Sequence, residues 1–404
     1  MKARFKYRIY PTDPQKNALA QLFGCVRTVW NDALAFCIES YKKGEKYCGE
    51  IELQKRFITQ AKKTEAREWL ADVSNITLQQ SIRDLGQAYS NFFKSCKGER
   101  KGKKIRPPRF KKRKSAQSAK FRIGGFKVHQ HNVYLAKIGK LKITWSRPLP
   151  SEPSSVTVIK DAADRYFLSF VVEINPEKLP DNGKAIGIDL GITNFATFSN
   201  GEKIKAPKPL KKCLKKLRSL QRRLSKKVKG SKRRELARKK VARLHAKISD
   251  IRTDFLHQLS TRAIRENQTL ALEDLNVSGM VKNRKLSRAI SDLGWRSFRT
   301  MLEAKSKIYG RDLRIIDRWE PTSQKCSCCG EKGGKKELSV REWTCLFCNT
   351  KHERDVNASR NILRVAGGQH ETKNGRLRRR KTGVKSAVAV DASTTFKPVQ
   401  LSLF

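Results

Sequence analysis

Cys326, Cys329, Cys345 and Cys348 are spaced C-x2-C-x15-C-x2-C, an arrangement that brings two thiolate pairs around one tetrahedral zinc without any other ligand. Zinc held by four thiolates has no open position for water, so its role is structural. Cys328 interrupts the first pair and competes for ligation, and His352 is close by, but two-residue spacing selects Cys326 with Cys329. Such a knuckle occurs in catalytic and noncatalytic proteins alike. The other five cysteines, Cys25, Cys37, Cys48, Cys96 and Cys213, are scattered. In a reducing compartment, clustering of this kind points to metal rather than disulfides.

Three acids offer a different chemistry. Asp189 ends the apolar run Ala185-Ile186-Gly187-Ile188, and Glu273 ends Thr269-Leu270-Ala271-Leu272, with Asp274 as its competitor. Asp355 follows the zinc knuckle at the start of an expected helix through Val365, with Glu353 as its rival. A carboxylate at the end of a buried strand is costly unless it meets a cation or hydrogen-bond donors, although an acid placed like Asp189, taken alone, is more often a turn cap than a ligand. Two strand ends and one helix start, brought together, would hold a pair of Mg2+ ions by oxygen ligands and hydrolyse a phosphodiester without a histidine base. The chain has no phosphate-cradling P-loop and no serine triad motif.

The composition names a partner. Ninety Lys and Arg against 37 Asp and Glu give a formal charge of +53 on 404 residues, and a compact fold with that charge repels itself unless a polyanion neutralises it. Nucleic acid is the expected polyanion, though a structural basic protein has the same composition. Apolar residues make up 38% of the chain, enough for two or three domains. The longest apolar runs, such as Tyr166 to Ile174, fall far short of the ~20 residues of a membrane span. The amino terminus lacks the apolar core of a secretory signal, so no membrane partner and a cytoplasmic location, nucleoid-associated when bound to DNA, are expected.

The elements that would position these residues follow from periodicity. Ala3, Phe5, Tyr7 and Ile9 alternate with basic residues as in a half-buried strand. Thr12, Asp13 and Pro14 signal a helix start, and three/four spacing continues from Gln15 to Ser95, through Leu22, Val26, Val29 and Trp30, then Leu78, Ile82, Leu85, Tyr89 and Phe92. Residues 97 to 114 hold eleven Lys or Arg, with Pro107 and Pro108 preventing a continuous helix. They read as an extended basic connector contacting phosphates, with Arg106, Arg109, Lys111, Lys112 and Arg113 as candidates. Short alternating stretches from Ala119 to Ile174 predict a small antiparallel barrel or sheet that the first strand could complete. The carboxyl half predicts strands at Ala185 to Leu190, Phe195 to Phe198 and near Lys203. Two long helices follow, carrying Leu210 to Leu224 and Val241 to Leu259, as an antiparallel hairpin.

The order of these motifs resembles the TnpB proteins of bacterial and archaeal insertion sequences, relatives of type V CRISPR nucleases. The resemblance runs from Arg8-Ile9-Tyr10-Pro11-Thr12 with Gln15, through Arg106-Pro107-Pro108-Arg109-Phe110-Lys111-Lys112-Arg113 and Gly187-Ile188-Asp189-Leu190-Gly191. It continues through Leu272-Glu273-Asp274-Leu275-Asn276 and Pro321-Thr322-Ser323-Gln324-Lys325-Cys326 to Arg354-Asp355-Val356-Asn357-Ala358. It implies an α/β multidomain protein: an RNase H-like RuvC nuclease domain (183–324 and 351–366) with a zinc-ribbon insertion (325–350). A wedge-like β-barrel (1–10 and 106–182), an inserted helical recognition module (11–105) and a basic tail (367–404), expected to be disordered or RNA-associated, complete it.

The same resemblance implies Asp189, Glu273 and Asp355 as catalytic ligands of Mg2+ or Mn2+, one structural Zn2+, a transposon-derived guide RNA and a double-stranded DNA target beside a short motif. Base pairing would then supply specificity, leaving the protein to contact backbone and shape. By analogy Gln79, Gln80 and Arg83 approach the target-adjacent motif, and residues 276 to 292 form a loop beside the nuclease site, where Lys282, Arg284, Lys285 and Arg288 steer a DNA strand. The competing readings are a transposase that joins DNA ends and a noncatalytic RNA-guided regulator.

Overall fold

A computed structural model describes residues 1–367 except 101, 114, 115 and 338. The basic tail expected after Gly367 lies outside the described residues. The chain forms two compact units that divide near residue 174.

The first unit contains β1 (Lys2–Ile9), α1 (Asp13–Lys42), α2 (Glu50–Gln54), α3 (Asn75–Cys96), β2 (Gln117–Arg122), β3 (Phe126–Val128), β4 (Asn132–Leu135), β5 (Gly139–Thr144), β6 (Ser155–Lys160) and β7 (Tyr166–Glu173). The alternation in the first strand is real: Ala3, Phe5, Tyr7 and Ile9 are buried. At the start of α1 the backbone N–H of Thr12 donates to Gln15 Oε1 at 3.0 Å, half of a capping box. The helical stretch expected through Ser95 is interrupted. Gly44 adopts φ +78° just past α1, a conformation that favours glycine, and residues 55–72 make only π and 3-10 turns before α3.

All seven strands of this unit join in one antiparallel sheet, ordered β2-β6-β7-β1-β5-β4-β3. Its outer strands, β2 and β3, are consecutive in the chain and linked by the turn that Gly125 N–H closes on Arg122 O. No β2–β3 ladder forms among the described residues. Of the small antiparallel barrel or sheet expected here, the hydrogen-bonded ladder is that of a sheet, and the first strand joins it between β7 and β5.

The second unit contains β8 (Ala185–Asp189), β9 (Ala196–Phe198), β10 (Lys203–Ile204), α4 (Pro209–Ser225), α5 (Lys232–Glu266), β11 (Thr269–Glu273), α6 (Val277–Met280), α7 (Ser287–Leu293), α8 (Trp295–Tyr309), β12 (Asp312–Ile316), β13 (Glu342–Thr344), β14 (Lys351–Glu353) and α9 (Arg354–Val365). Its main sheet runs β10-β9-β8-β11-β12. The β8-β9-β10 meander is antiparallel, and β8, β11 and β12 are parallel.

Side chains alternate across the faces of that sheet. Ile186, Ile188, Leu270 and Leu272 pack with Leu256, Leu259, Phe298 and Leu302 of α5 and α8. On the other face Ala271 packs with Ile362 and Leu363 of α9. A Cβ on Gly187 would lie 2.0 Å from Ser359 O and 2.9 Å from Leu363 Cβ, so only glycine lets α9 rest directly on β8.

Candidate nuclease site and zinc cluster

That two-faced sheet determines where the acids emerge. Asp189 shares the parity of Gly187, and Glu273 that of Ala271, so both carboxylates project from the face covered by α9. Leu272 is in register with Ile188, which sets Asp189 and Glu273 side by side at the carboxyl ends of adjacent parallel strands. Asp355 stands in the first turn of α9, one turn before the Ser359 that touches Gly187. A helix N-terminus favours negative charge there. Two strand ends and one helix start thus bring the three acids together.

Their electrostatics reflect that crowding. Burial, then the neighbouring charges of Glu273 and Asp355, push the Asp189 carboxyl up to about 8. Burial also raises Glu273, against the hydrogen bond it accepts from Thr322, whose Oγ1 donates to Glu273 Oε1 at 2.5 Å. Arg341 Nη1 lies 3.6 Å from Asp355 Oδ1. Oxygen donors on a costly, negatively charged face suit hard divalent cations. The rivals are engaged elsewhere: Glu353 pairs with Lys203, and Asp274 binds Arg299 and Arg318, which hold its carboxyl below the usual range.

The cysteines behave differently. The ligand atoms of Cys326, Cys329, Cys345 and Cys348 all lie within 4.8 Å of one another, and they are the sole group of three or more His, Cys, Asp or Glu so gathered among the described residues. The carboxylates are not drawn so close. Cys326 and Cys348 sulfurs are 3.6 Å apart and those of Cys329 and Cys345 3.7 Å. A tetrahedron with Zn–S bonds of about 2.3 Å separates its sulfurs by roughly 3.8 Å, so the cluster fits a structural zinc. Cys328 is exposed and stands apart from it. His352, buried against Trp343, places Nε2 2.9 Å from Cys326 Sγ. An N–H there would orient the ligand without displacing it.

Sequence reasoning assigned no role to two side chains that tie the two sites together. Asn357 Nδ2 and Asn361 Nδ2 both donate to Lys325 O, at 2.8 and 2.7 Å. Asn361 Nδ2 also lies 2.8 Å from Thr322 O, and Asn357 Oδ1 accepts from Ser327 N–H at 2.8 Å. Helix α9, which carries Asp355, thereby clamps the entrance to the zinc cluster. Buried asparagines in a helix are the local signal, but their partners lie 30 to 39 residues away.

The expected nucleic-acid contacts fall into distinct settings. Gln79 and Arg83 of α3 reach solvent, whereas Gln80 is buried, 5% exposed, and its side chain packs inside the unit. Arg106, Arg109, Lys112 and Arg113 are exposed on an irregular strand of backbone. Lys111 is held to α1: Asn31 exchanges two hydrogen bonds with its backbone, and its ammonium sits 3.8 Å over the Trp30 ring. Lys282, Arg284, Lys285 and Arg288 are exposed. Lys282, Arg284 and Lys285 stand in the turn at 281–286, whereas Arg288 is in α7, which the burial of Ile290 and Leu293 and the bonds Asp292 accepts from the Leu210 and Lys211 N–H groups of α4 hold in place, so the loop expected over 276 to 292 is confined to the link between α6 and α7.

The mixed α/β fold is similar to that of Cas12f1. It superposes on Cas12f1 in a Cas12f1–sgRNA–target DNA complex with a TM-score of 0.51, at 16% identity, over 86% of this chain and 82% of that one. Residues 169–284 match the OrfB_IS605 family described as "Probable transposase", 295–362 match "Cas12f1-like, TNB domain", and 1–46 match a "Helix-turn-helix domain". In this chain the last segment folds as β1 and one continuous helix, α1.

A "Putative RNA-guided DNA endonuclease" of Streptomyces pristinaespiralis is 46% identical over 367 residues, spanning 90% of this chain and 89% of that protein. InsQ of Escherichia coli K12, which carries the same description, is 32% identical over 378 residues, or 89% and 91% of the two chains. The chain belongs to the TnpB/OrfB family. No helix among the described residues is long and apolar enough to cross a membrane.

Proposed function

We propose that the protein is a transposon-encoded, RNA-guided, divalent-metal-dependent endonuclease that cuts double-stranded DNA at guide-matched sites beside a short motif. The observation that carries this reading is the setting of Asp189 and Glu273 at adjacent strand ends, under the helix that bears Asp355. The sheet order, an antiparallel meander followed by two parallel strands, supports an RNase H-like RuvC domain of residues 183–324 and 351–366 interrupted by the zinc insertion at 325–350. Residues 1–10 with 106–182 and residues 11–105 would then be the wedge and recognition modules that hold the guide RNA.

Asp189, Glu273 and Asp355 would hold Mg2+ or Mn2+, which supplies Lewis-acid activation of water and of the leaving oxygen. The chain's own contribution is placement. Burial keeps Asp189 and Glu273 short of water and so raises their demand for a cation, Thr322 fixes one Glu273 oxygen, and the first turn of α9 brings the charge of Asp355 to bear on Asp189. The zinc cluster keeps the start of α9 in position and leaves the chemistry to the acids. The charge of +53 supports extensive phosphate contact with RNA and DNA.

The test is to purify the protein with its co-expressed RNA and assay Mg2+-dependent cleavage of plasmids carrying guide-matched targets beside a randomised flank. Cleavage that requires the RNA, the metal and Asp189, and that falls by roughly three orders of magnitude in Asp189→Ala, is the expected result. Tight RNA-directed binding with no cleavage by the wild type would make the protein a regulator instead.

A further inference from the structure

A cleft of about 330 Å3 opens beside Glu273, with Asp274, Ser278, Arg296, Arg299 and Arg318 among its walls. Asp274 Oδ1 accepts from Arg299 Nη1 at 2.5 Å, and its Oδ2 accepts from Arg318 Nη2. Arg299 is held a second time, its Nε donating to Glu303 Oε1 at 2.9 Å. Each arginine side chain nevertheless stays about a third exposed, 33% for Arg299 and 38% for Arg318.

With both oxygens engaged by arginine, Asp274 is not arranged as a fourth acid for a metal. Its effect falls on the arginines. Unrestrained, two guanidiniums on this rim would either pair with Glu273, competing with its cation, or sample many rotamers that binding must later freeze. Tied to one carboxylate, they are kept off Glu273 and point planar forks of donors at the cleft, a preorganised geometry for an oxyanion.

We propose that Asp274 is a positioning residue that fixes Arg299 and Arg318 as a clamp for one phosphodiester of the DNA strand being cut, adjacent to the linkage hydrolysed at Glu273. This rests on the nuclease reading above. The bound group is a phosphate because a strand whose linkage lies at Glu273 must carry its next phosphate along the neighbouring wall, and a bidentate guanidinium matches that group.

The experiment uses the full chain with its guide RNA and Mg2+, and target duplexes that carry a single neutral methylphosphonate linkage at each position around the cut. Arg318→Gln should raise KM for the unmodified target roughly tenfold while leaving the Mg2+ concentration for half-maximal rate unchanged. Asp274→Asn should reproduce that change, and the double variant should be no worse than either single one. One methylphosphonate should raise the wild-type KM by a similar factor yet add nothing in Arg318→Gln. Arg318→Lys, which keeps the charge but not the fork, should recover part of the loss.

An unchanged KM in Arg318→Gln, or no methylphosphonate position whose effect the substitution absorbs, would overturn the clamp. A raised Mg2+ requirement in Asp274→Asn with unchanged KM would make Asp274 a metal ligand instead. If Asp274→Asn melts early, the two Arg318 variants and the modified duplexes decide the matter alone. A wild type that cuts nothing fails at the nuclease reading itself, a result distinguishable from every variant outcome.

Discussion

The cysteine cluster that fits a zinc and the carboxylate cluster, both tied to α9, are built by opposite routes. Four sulfurs contributed by residues 326 to 348 are already gathered at tetrahedral spacing. Three acids spread from 189 to 355 depend on strand register, on the parity of a sheet face and on one glycine that admits a helix. A local cluster is specified by spacing and can be complete without regard to the rest of the sheet. A dispersed one inherits every error in packing, and its members repel one another until a cation arrives. Closure suits a structural metal, and an incompletely neutralised, half-buried set of oxygens suits ions that must exchange with substrate and water.

The comparison is tested most severely at the cysteines. Cys345→Ser removes a buried ligand, and structural zinc sites of this kind contribute about 10 kcal/mol or more to local folding. Zinc content measured by mass spectrometry should fall well below one per chain. Residues 325–350 should become protease-sensitive, and cleavage should drop by at least about a hundredfold because Asn357 and Asn361 lose the segment they clamp. Cys328→Ser, by contrast, should retain both zinc and activity. Full zinc and full cleavage in Cys345→Ser would show that the local cluster does not support the dispersed one.

A smaller effect separates the two sites by pH. Asp189 is pushed up to about 8 in the folded chain, above the ordinary value near 4 expected when unfolded. Between those values the native state keeps a proton that the unfolded state has lost. Metal-free stability should therefore fall as pH rises through that window, with the full penalty present above pH 8. Melting in EDTA at concentrations that leave zinc in place should show Asp189→Asn more stable than wild type at pH 8 and equal to it at pH 4. Mg2+ should stabilise the wild type more than the variant. A wild-type melting temperature that rises from pH 5 to pH 8 without Mg2+ would refute the cation-demanding character of the site.

How much of this was legible in the sequence follows the same divide. The cysteine spacing, the alternation of Ala3, Phe5, Tyr7 and Ile9, and the leucine stripes of α4 and α5 are short-range patterns, and each element formed as its pattern required. Asp189, Glu273 and Asp355 were visible as acids at element ends, but which neighbour to choose was not, since Glu273 differs from Asp274 only through Thr322 on one side and Arg299 and Arg318 on the other. Residues 276 to 292 looked like one basic loop because the two helices that flank its turn are short and the anchor of the second, Asp292, binds N–H groups of a helix 81 and 82 residues earlier in the chain. Gln80 and Lys111 carried polar side chains that looked available for nucleic acid, and the packing of α1 and α3 claimed one and largely immobilised the other.

The finest contrast lies within the dispersed site itself, where a single hydroxyl from the approach to the cysteine cluster reaches Glu273. Thr322 is buried, and its Oγ1 donates to Glu273 at 2.5 Å while its carbonyl accepts from Asn361. Thr322→Val keeps the shape and the backbone contact but removes the donor, so the variant should fold, bind zinc and bind DNA like the wild type. Glu273 would then have one oxygen free to turn away from the metal. A lost hydrogen bond of this kind is worth about 1 kcal/mol, which predicts a cleavage rate lowered roughly fivefold at limiting Mg2+, with much of the loss recovered at saturating metal. Single-turnover rates across a Mg2+ titration would show this, and a uniform loss at every Mg2+ concentration would mean that Thr322 acts on the fold of the segment rather than on the acid.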